Sequence, residues 1–149
     1  MAHVRTQIRD RVVTILTGLT TTGNRVYQSR VHPMTEITMP GICVYCPEEK
    51  TLEETGDFLT KELSIVIDGY VSGSDFDDDI DKIQAEVEEA LYDDYGSATD
   101  RFFNGLALGL NYTKSESQYN GDAQIEHGTI KVIYTAFYTI TRGEPEVAL

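Results

Sequence analysis

The chain has 149 residues and a mass of 16.7 kDa, the size of one domain, long enough to bury roughly two-thirds of its unfolded surface and to hold a core without disulfides. Twelve basic residues stand against 25 acidic ones for a net charge of -13, which excludes an unaided electrostatic grip on nucleic-acid phosphates or on an anionic membrane. A hydrophobic share of 40% with 25% charged residues is that of an ordinary globular domain rather than of a disordered chain.

In chain order, Val4, Ile8, Val12, Ile15, Leu16 and Leu19 recur at three- and four-residue steps. That spacing predicts an amphipathic helix from Val4 to about Thr17, stopped by Gly18 and the Thr20–Asn24 cluster. A short strand, Arg25 to Arg30, follows; Val31 to Pro40, with prolines at 33 and 40, reads as an irregular connection, and Gly41 to Cys46 as a strand. The polar run PEEKTLEETGD after Cys46 reads as a loop or a mobile hairpin tip. From Phe58 to Val71, Leu63, Ile65 and Ile67 alternate with Glu62, Ser64 and Asp68, which predicts a long strand. Ser74 is placed to cap a second helix whose stripe is Phe76, Ile80, Ile83, Val87 and Leu91, with Asp77 at capping-box spacing.

Residues 93 to 105 read as a connection, and Leu106, Leu108, Leu110 and Tyr112 as a strand running toward Tyr119. Asn120-Gly121 is a type I′ hairpin signal. The returning strand, about Gln124 to Thr141, carries Ile130, Val132, Tyr134, Ala136, Tyr138 and Ile140 on one side and Ile133 and Phe137 on the other, which places its second half centrally in a sheet. The polar arm from Lys114 to His127 is expected to project. The order α-β-β-β-α-β-β predicts an α+β domain: two helices packed on one mostly antiparallel sheet with a long protruding C-terminal hairpin.

No apolar run reaches the roughly 18 residues of a membrane span, and MAHVRTQIRD lacks the apolar centre of a signal peptide, so the expectation is cytosolic synthesis and no membrane partner. Cys43 and Cys46 form a C-x-x-C pair, yet on a strand residues three apart point to opposite faces. They read as small apolar side chains rather than a redox or zinc site, which would need a helix N-terminus or two further ligands. Asp75, Asp77, Asp79 and Glu86 have the spacing of calcium-loop ligands, but the position that must be glycine is Ile80, part of the helix stripe. An acidic first turn facing the helix dipole explains them without metal. His3, His32 and His127 are scattered, and no catalytic or phosphate-binding string is present, so no catalytic residue and no cofactor is expected.

The charge is uneven. Residues 1 to 30 carry five arginines and one acid for a net of +4, and the rest of the chain sums to -17. The densest acidic stretch, Ser74 to Asp94, has ten acids against Lys82 alone. A basic end and an acidic body allow one copy to attract the next, a basic patch on one meeting an acidic patch on another. The candidate subunit contacts are Arg5, Arg9 and Arg11 against Asp77, Asp78 and Glu88.

The segments Ile8–Asp10, Val12–Thr14, Leu16–Leu19, Thr21–Gly23, Arg25–Tyr27 and Ser29–Arg30, then Pro33, Pro40–Gly41 and Val44–Tyr45, resemble the tail terminator proteins of long-tailed, lambda-like bacteriophages. The likeness covers about the first third of the chain; the rest agrees in element order, length and acidity. The resemblance implies a non-enzymatic virion subunit of the phage neck that forms a homohexameric ring, caps the tail tube, ends its polymerisation and joins the tail to the head connector. Its implied partners are copies of itself, the tail tube protein and the head-tail connector or stopper protein, with genomic DNA passing the lumen unbound. A head-completion or stopper protein, or another minor tail protein, is the alternative. The projecting segments supply candidate tube or connector contacts: Glu49, Glu53 and Glu54 in the polar loop, and Glu116, Tyr119 and Asn120 on the hairpin.

Overall fold

The computed structural model describes residues 2–28, 39–73, 76–94, 102–103, 105–120 and 127–149. Two α-helices, α1 (Val4–Leu16) and α2 (Phe76–Asp93), lie on one face of a sheet built from six described strands. These are β1 (Val26–Tyr27), β2 (Gly41–Tyr45), β3 (Glu49–Glu54), β4 (Phe58–Ser72), β5 (Gly109–Asn120) and β6 (His127–Thr141). The strand order is β1-β2-β4-β6-β5, and β3 pairs with the first part of β4 on the side where β2 covers the rest. Among the described strands only β1 with β2 is parallel. The expected α+β class, with its two helices, mostly antiparallel sheet and long C-terminal hairpin, is the observed one.

Period-two alternation decides which side chains meet the helices. Leu63, Ile65, Ile67 and Val71 of β4 lie level with Ala136, Tyr134, Val132 and Gly128 of β6. With Ile42 and Val44 of β2 they meet Val4, Ile8, Val12 and Leu16 of α1 and Ile80, Ile83, Val87 and Leu91 of α2 in one core. The α2 stripe is the one its periodicity predicts. Gly69 is required by this packing: a Cβ there would lie 2.9 Å from both Ile83 Cγ2 and Ile130 Cγ2. β6 is paired along both edges, as apolar residues on both its faces require.

Three expectations are adjusted. The polar run after Cys46 is not a loop but strand β3, ending in a short turn at Thr55–Asp57. An edge strand needs only backbone partners on one side, so its exposed, charged side chains do not oppose pairing. Leu106 and Leu108 precede β5 rather than opening it, because Phe102 and Ala107 bridge to each other in a small turn. The predicted strand Arg25–Arg30 is seen as Val26–Tyr27, residues 29 and 30 lying outside the described ones. Ser74, His32, most of the Val31–Pro40 connection and the turn residue Gly121 likewise lie outside the described residues.

The start of α1 is held by two contacts. The His3 Nδ1 accepts a hydrogen bond from the Arg5 amide at 3.0 Å and caps the helix. The Val4 amide donates to Pro145 O at 2.8 Å, tying the C-terminal tail to it. At its other end the helix stops at Thr17, and Gly18 adopts a φ of 94° that favours glycine.

Candidate interaction surfaces

On α1, Arg5 and Arg9 are one turn apart and share a face. Arg9 Nε donates to Gln28 Oε1 at 3.2 Å. Arg11 points the other way and is bonded within the subunit: its Nη2 lies 2.7 Å from Asp94 Oδ1. Asp94, with a side chain only 6% exposed, also accepts the Phe103 amide through Oδ2 at 2.6 Å. Arg11 thus ties α1 to the end of α2, while Arg5 and Arg9 are half-buried, Arg5 close enough to Glu49 to act on its carboxyl. Sequence reasoning missed Asp94 because its two partners lie 83 and 9 residues away.

The outer face of α2 is acidic. Asp77, Asp78 and Asp79 occupy its first turn, where the helix dipole favours negative charge. Asp77, Asp78 and Glu88 are exposed, and Tyr92, 72% exposed, stands on the same outer surface near the helix C-terminus. Glu86 leaves this face: Oε1 accepts the Thr21 amide at 2.8 Å and Oε2 accepts the Thr21 hydroxyl. It therefore fixes the loop after α1, and with Ile80 buried in the core the calcium-loop spacing is that of an ordinary helix. Among the described residues no group of three histidines, cysteines or carboxylates could hold a metal ion.

At the β3–β4 hairpin the candidate contacts separate. Glu53 and Glu54 are exposed, and Glu54 pairs with Arg142 at 3.0 Å. Arg142 also donates its backbone amide to Asp57 O at 2.9 Å, so the end of β6 braces the hairpin tip. Glu49 instead turns to the helix side of the sheet, where it accepts the Tyr138 hydroxyl and lies 3.0 Å from Lys61 Nζ. The side chains of Lys61 and Glu49 are 15% and 13% exposed, and Tyr138 is fully buried. Burial alone would raise the Glu49 carboxyl, but the hydrogen bonds from Tyr138 and Lys61, with the charges of Lys61 and Arg5, hold it below the usual carboxylate range. The same burial and the Glu49 charge push the Tyr138 hydroxyl well up. Glu49 is a partner of the subunit's own interior and not a projecting contact.

On the C-terminal hairpin, Glu116 and Tyr119 are exposed, with Glu116 level with Lys131. Tyr119 stacks on Phe76 at 4.6 Å and 11°, so the hairpin is held against the first turn of α2 as far as β5 runs. Asn120 is the last residue of β5. On the sheet face away from the helices, Asp68 is 7% exposed; burial raises its carboxyl, opposed by a hydrogen bond from Tyr45 and by Lys131. Burial pushes the Cys43 and Cys46 thiols up to about 11, the direction opposite to a reactive thiolate. His3 is lowered, chiefly by burial. Every one of these perturbed groups has a structural partner or a packing cause, and none forms a nucleophile–base pair.

No known family profile and no curated protein matches the chain. Among solved structures, the fold is similar to a chain of the virion of the native gene transfer agent (GTA) particle, with a TM-score of 0.53 at 21% identity, over 91% of this chain and 90% of that one. No described helix is long and apolar enough to cross a membrane.

Proposed function

We propose that this protein is a structural subunit of a phage-like virion and, more specifically, a tail terminator: a ring-forming protein that caps the tail tube and joins it to the head connector. The observation that carries the reading is the end-to-end likeness of the fold to a chain of a GTA virion, over about nine-tenths of both chains. The N-terminal motif residues support the finer assignment, and they do structural work: Leu16–Leu19 end α1, and Thr21 donates its amide and hydroxyl to Glu86. The role is stoichiometric binding without turnover, in the virion and, during assembly, in the host cytoplasm.

Ring closure joins two different patches of one subunit. Arg5 and Arg9 on α1 are assigned to one patch and Asp77, Asp78 and Glu88 on α2 to the other, opposite charges carried by different helices. Glu53, Glu54, Glu116 and Tyr119 are assigned to tube and connector contacts. Acidic surface facing the lumen lets DNA pass without adhering. The test is co-sedimentation with a phage tail tube protein from the same source. Binding at tube ends, at a stoichiometry independent of tube length, is expected; a protein that stays in the supernatant over intact tubes overturns the assignment.

A further inference from the structure

Among the described strands three are outermost, β1, β3 and β5, and β1 is only two residues long. β3 is six residues long, carries Glu49, Lys50, Glu53 and Glu54, and is bulged between Thr51 and Glu53, all features that discourage another strand from pairing. β5 is twelve residues long, contains no proline, and has Lys114 and Glu116 as its only charges. It ends the order of the described strands, and every residue from 111 to 119 is exposed. A long edge of this kind is a template for a further strand.

The sequence of β5 specifies which strand. Between Tyr112 and Lys114 the register with β6 shifts by one residue, leaving Thr113 as a bulge. Lay a second β5 antiparallel to the first, with Ser115 opposite Ser115 and the bulge kept. Lys114 then faces Glu116 of the second copy, and Glu116 faces Lys114. Beyond the bulge Tyr112 meets Ser117, Asn111 meets Gln118, Leu110 meets Tyr119, and Gly109 meets Asn120. The two strands end flush. Opposed side chains also fall on the same sheet face at the pairs from Lys114–Glu116 to Leu110–Tyr119, which a one-residue slip would undo. Across the face away from the helices, Asp68, Lys131 and Glu116 are level with one another, so Lys114 of the second copy extends a row of alternating charge.

From this self-complementarity we infer that the free protein associates as a two-fold dimer through antiparallel β5–β5 pairing, its occupant being a second copy of this chain. The contact is isologous and therefore distinct from the heterologous contacts of a ring. It does not rest on the terminator reading, but it covers Glu116 and Tyr119, so the dimer opens before these residues meet tube or connector.

The test is sedimentation equilibrium on the full chain with three charge variants. Wild type is expected to be dimeric. Lys114→Glu places glutamates opposite each other, and Glu116→Lys places lysines; each should weaken association at least tenfold. The double variant Lys114→Glu/Glu116→Lys should restore the dimer. Ser115→Cys gives a second readout, because opposed side chains in such a pair lie about 4.5–5.5 Å apart at Cβ. It should form a disulfide-linked dimer on mild oxidation, while wild type treated alongside does not. Circular dichroism establishes that each variant is folded. A wild type that is monomeric at all concentrations, a folded double swap that stays monomeric, or an oligomer in which Ser115→Cys does not cross-link overturns the inference. The last outcome leaves the ring reading standing, and a folded, monomeric Lys114→Glu variant that ignores tail tubes refutes only the terminator reading.

Discussion

Replacing Glu49 distinguishes an internal strut from a docking residue. In Glu49→Ala the Tyr138 hydroxyl, inside a fully buried residue, loses its acceptor, and Lys61 loses the carboxylate 3.0 Å away. A hydrogen bond to a charged group contributes about 1.5–3 kcal/mol, and removing one partner from a buried ion pair costs about 3–5 kcal/mol. Lys61 keeps some contact with water, so the combined loss is put at about 2–4 kcal/mol, below the sum of the two. Urea unfolding followed by circular dichroism measures it. The acid limb provides an internal control. Because the folded carboxyl lies below its ordinary value of 4.5, its contribution is present above about pH 4.5 and lost as pH falls through the folded value. Glu49→Gln should therefore flatten the acid side of the stability profile. A loss below about 0.5 kcal/mol in Glu49→Ala, with an unchanged acid limb, would refute the assignment of Glu49 to the interior.

Two further outcomes follow from the packing and from the helix cap. Gly69→Ala would force a methyl against Ile83 and Ile130 at 2.9 Å, which costs about 1–3 kcal/mol in thermal or urea unfolding. Combining it with Ile83→Ala should give less than the sum of the single losses, and strict additivity would show that the crowding is not there. His3 has a lowered pKa and caps α1 as an acceptor, so its contribution is present above the ordinary value of 6.5 and is lost as pH falls through the folded value. His3→Ser, which keeps a capping oxygen, should remove that part of the pH dependence; an identical profile in both proteins would show that His3 does not carry it.

The core was legible because its signals are periodic. Val4, Ile8, Val12 and Leu16, the α2 stripe, and the alternating Ile130–Ile140 positions are all buried where spacing places them. β3 was not legible, since an edge strand needs a backbone partner and no apolar pattern, and its partner β4 supplies that only in three dimensions. The surface was read least well. Charge counting marked Arg11 and Glu49 as available, but Asp94, Lys61 and Tyr138 consume them through contacts spanning 83, 12 and 89 residues in sequence. A charge asymmetry along a chain locates charge, and only the fold says how much of it is left for a partner. Here Arg5 and Arg9 on α1 are half-buried, and Asp77, Asp78 and Glu88 on α2 are exposed.

The measurement that bears most directly on the terminator reading is electron microscopy of tail tubes assembled with and without this protein. With it present, tubes should be of limited length and carry, at one end only, a cap whose end-on averages show six-fold symmetry. Tubes that grow to the same lengths with both ends bare, under conditions where the protein is folded and in excess, would contradict it.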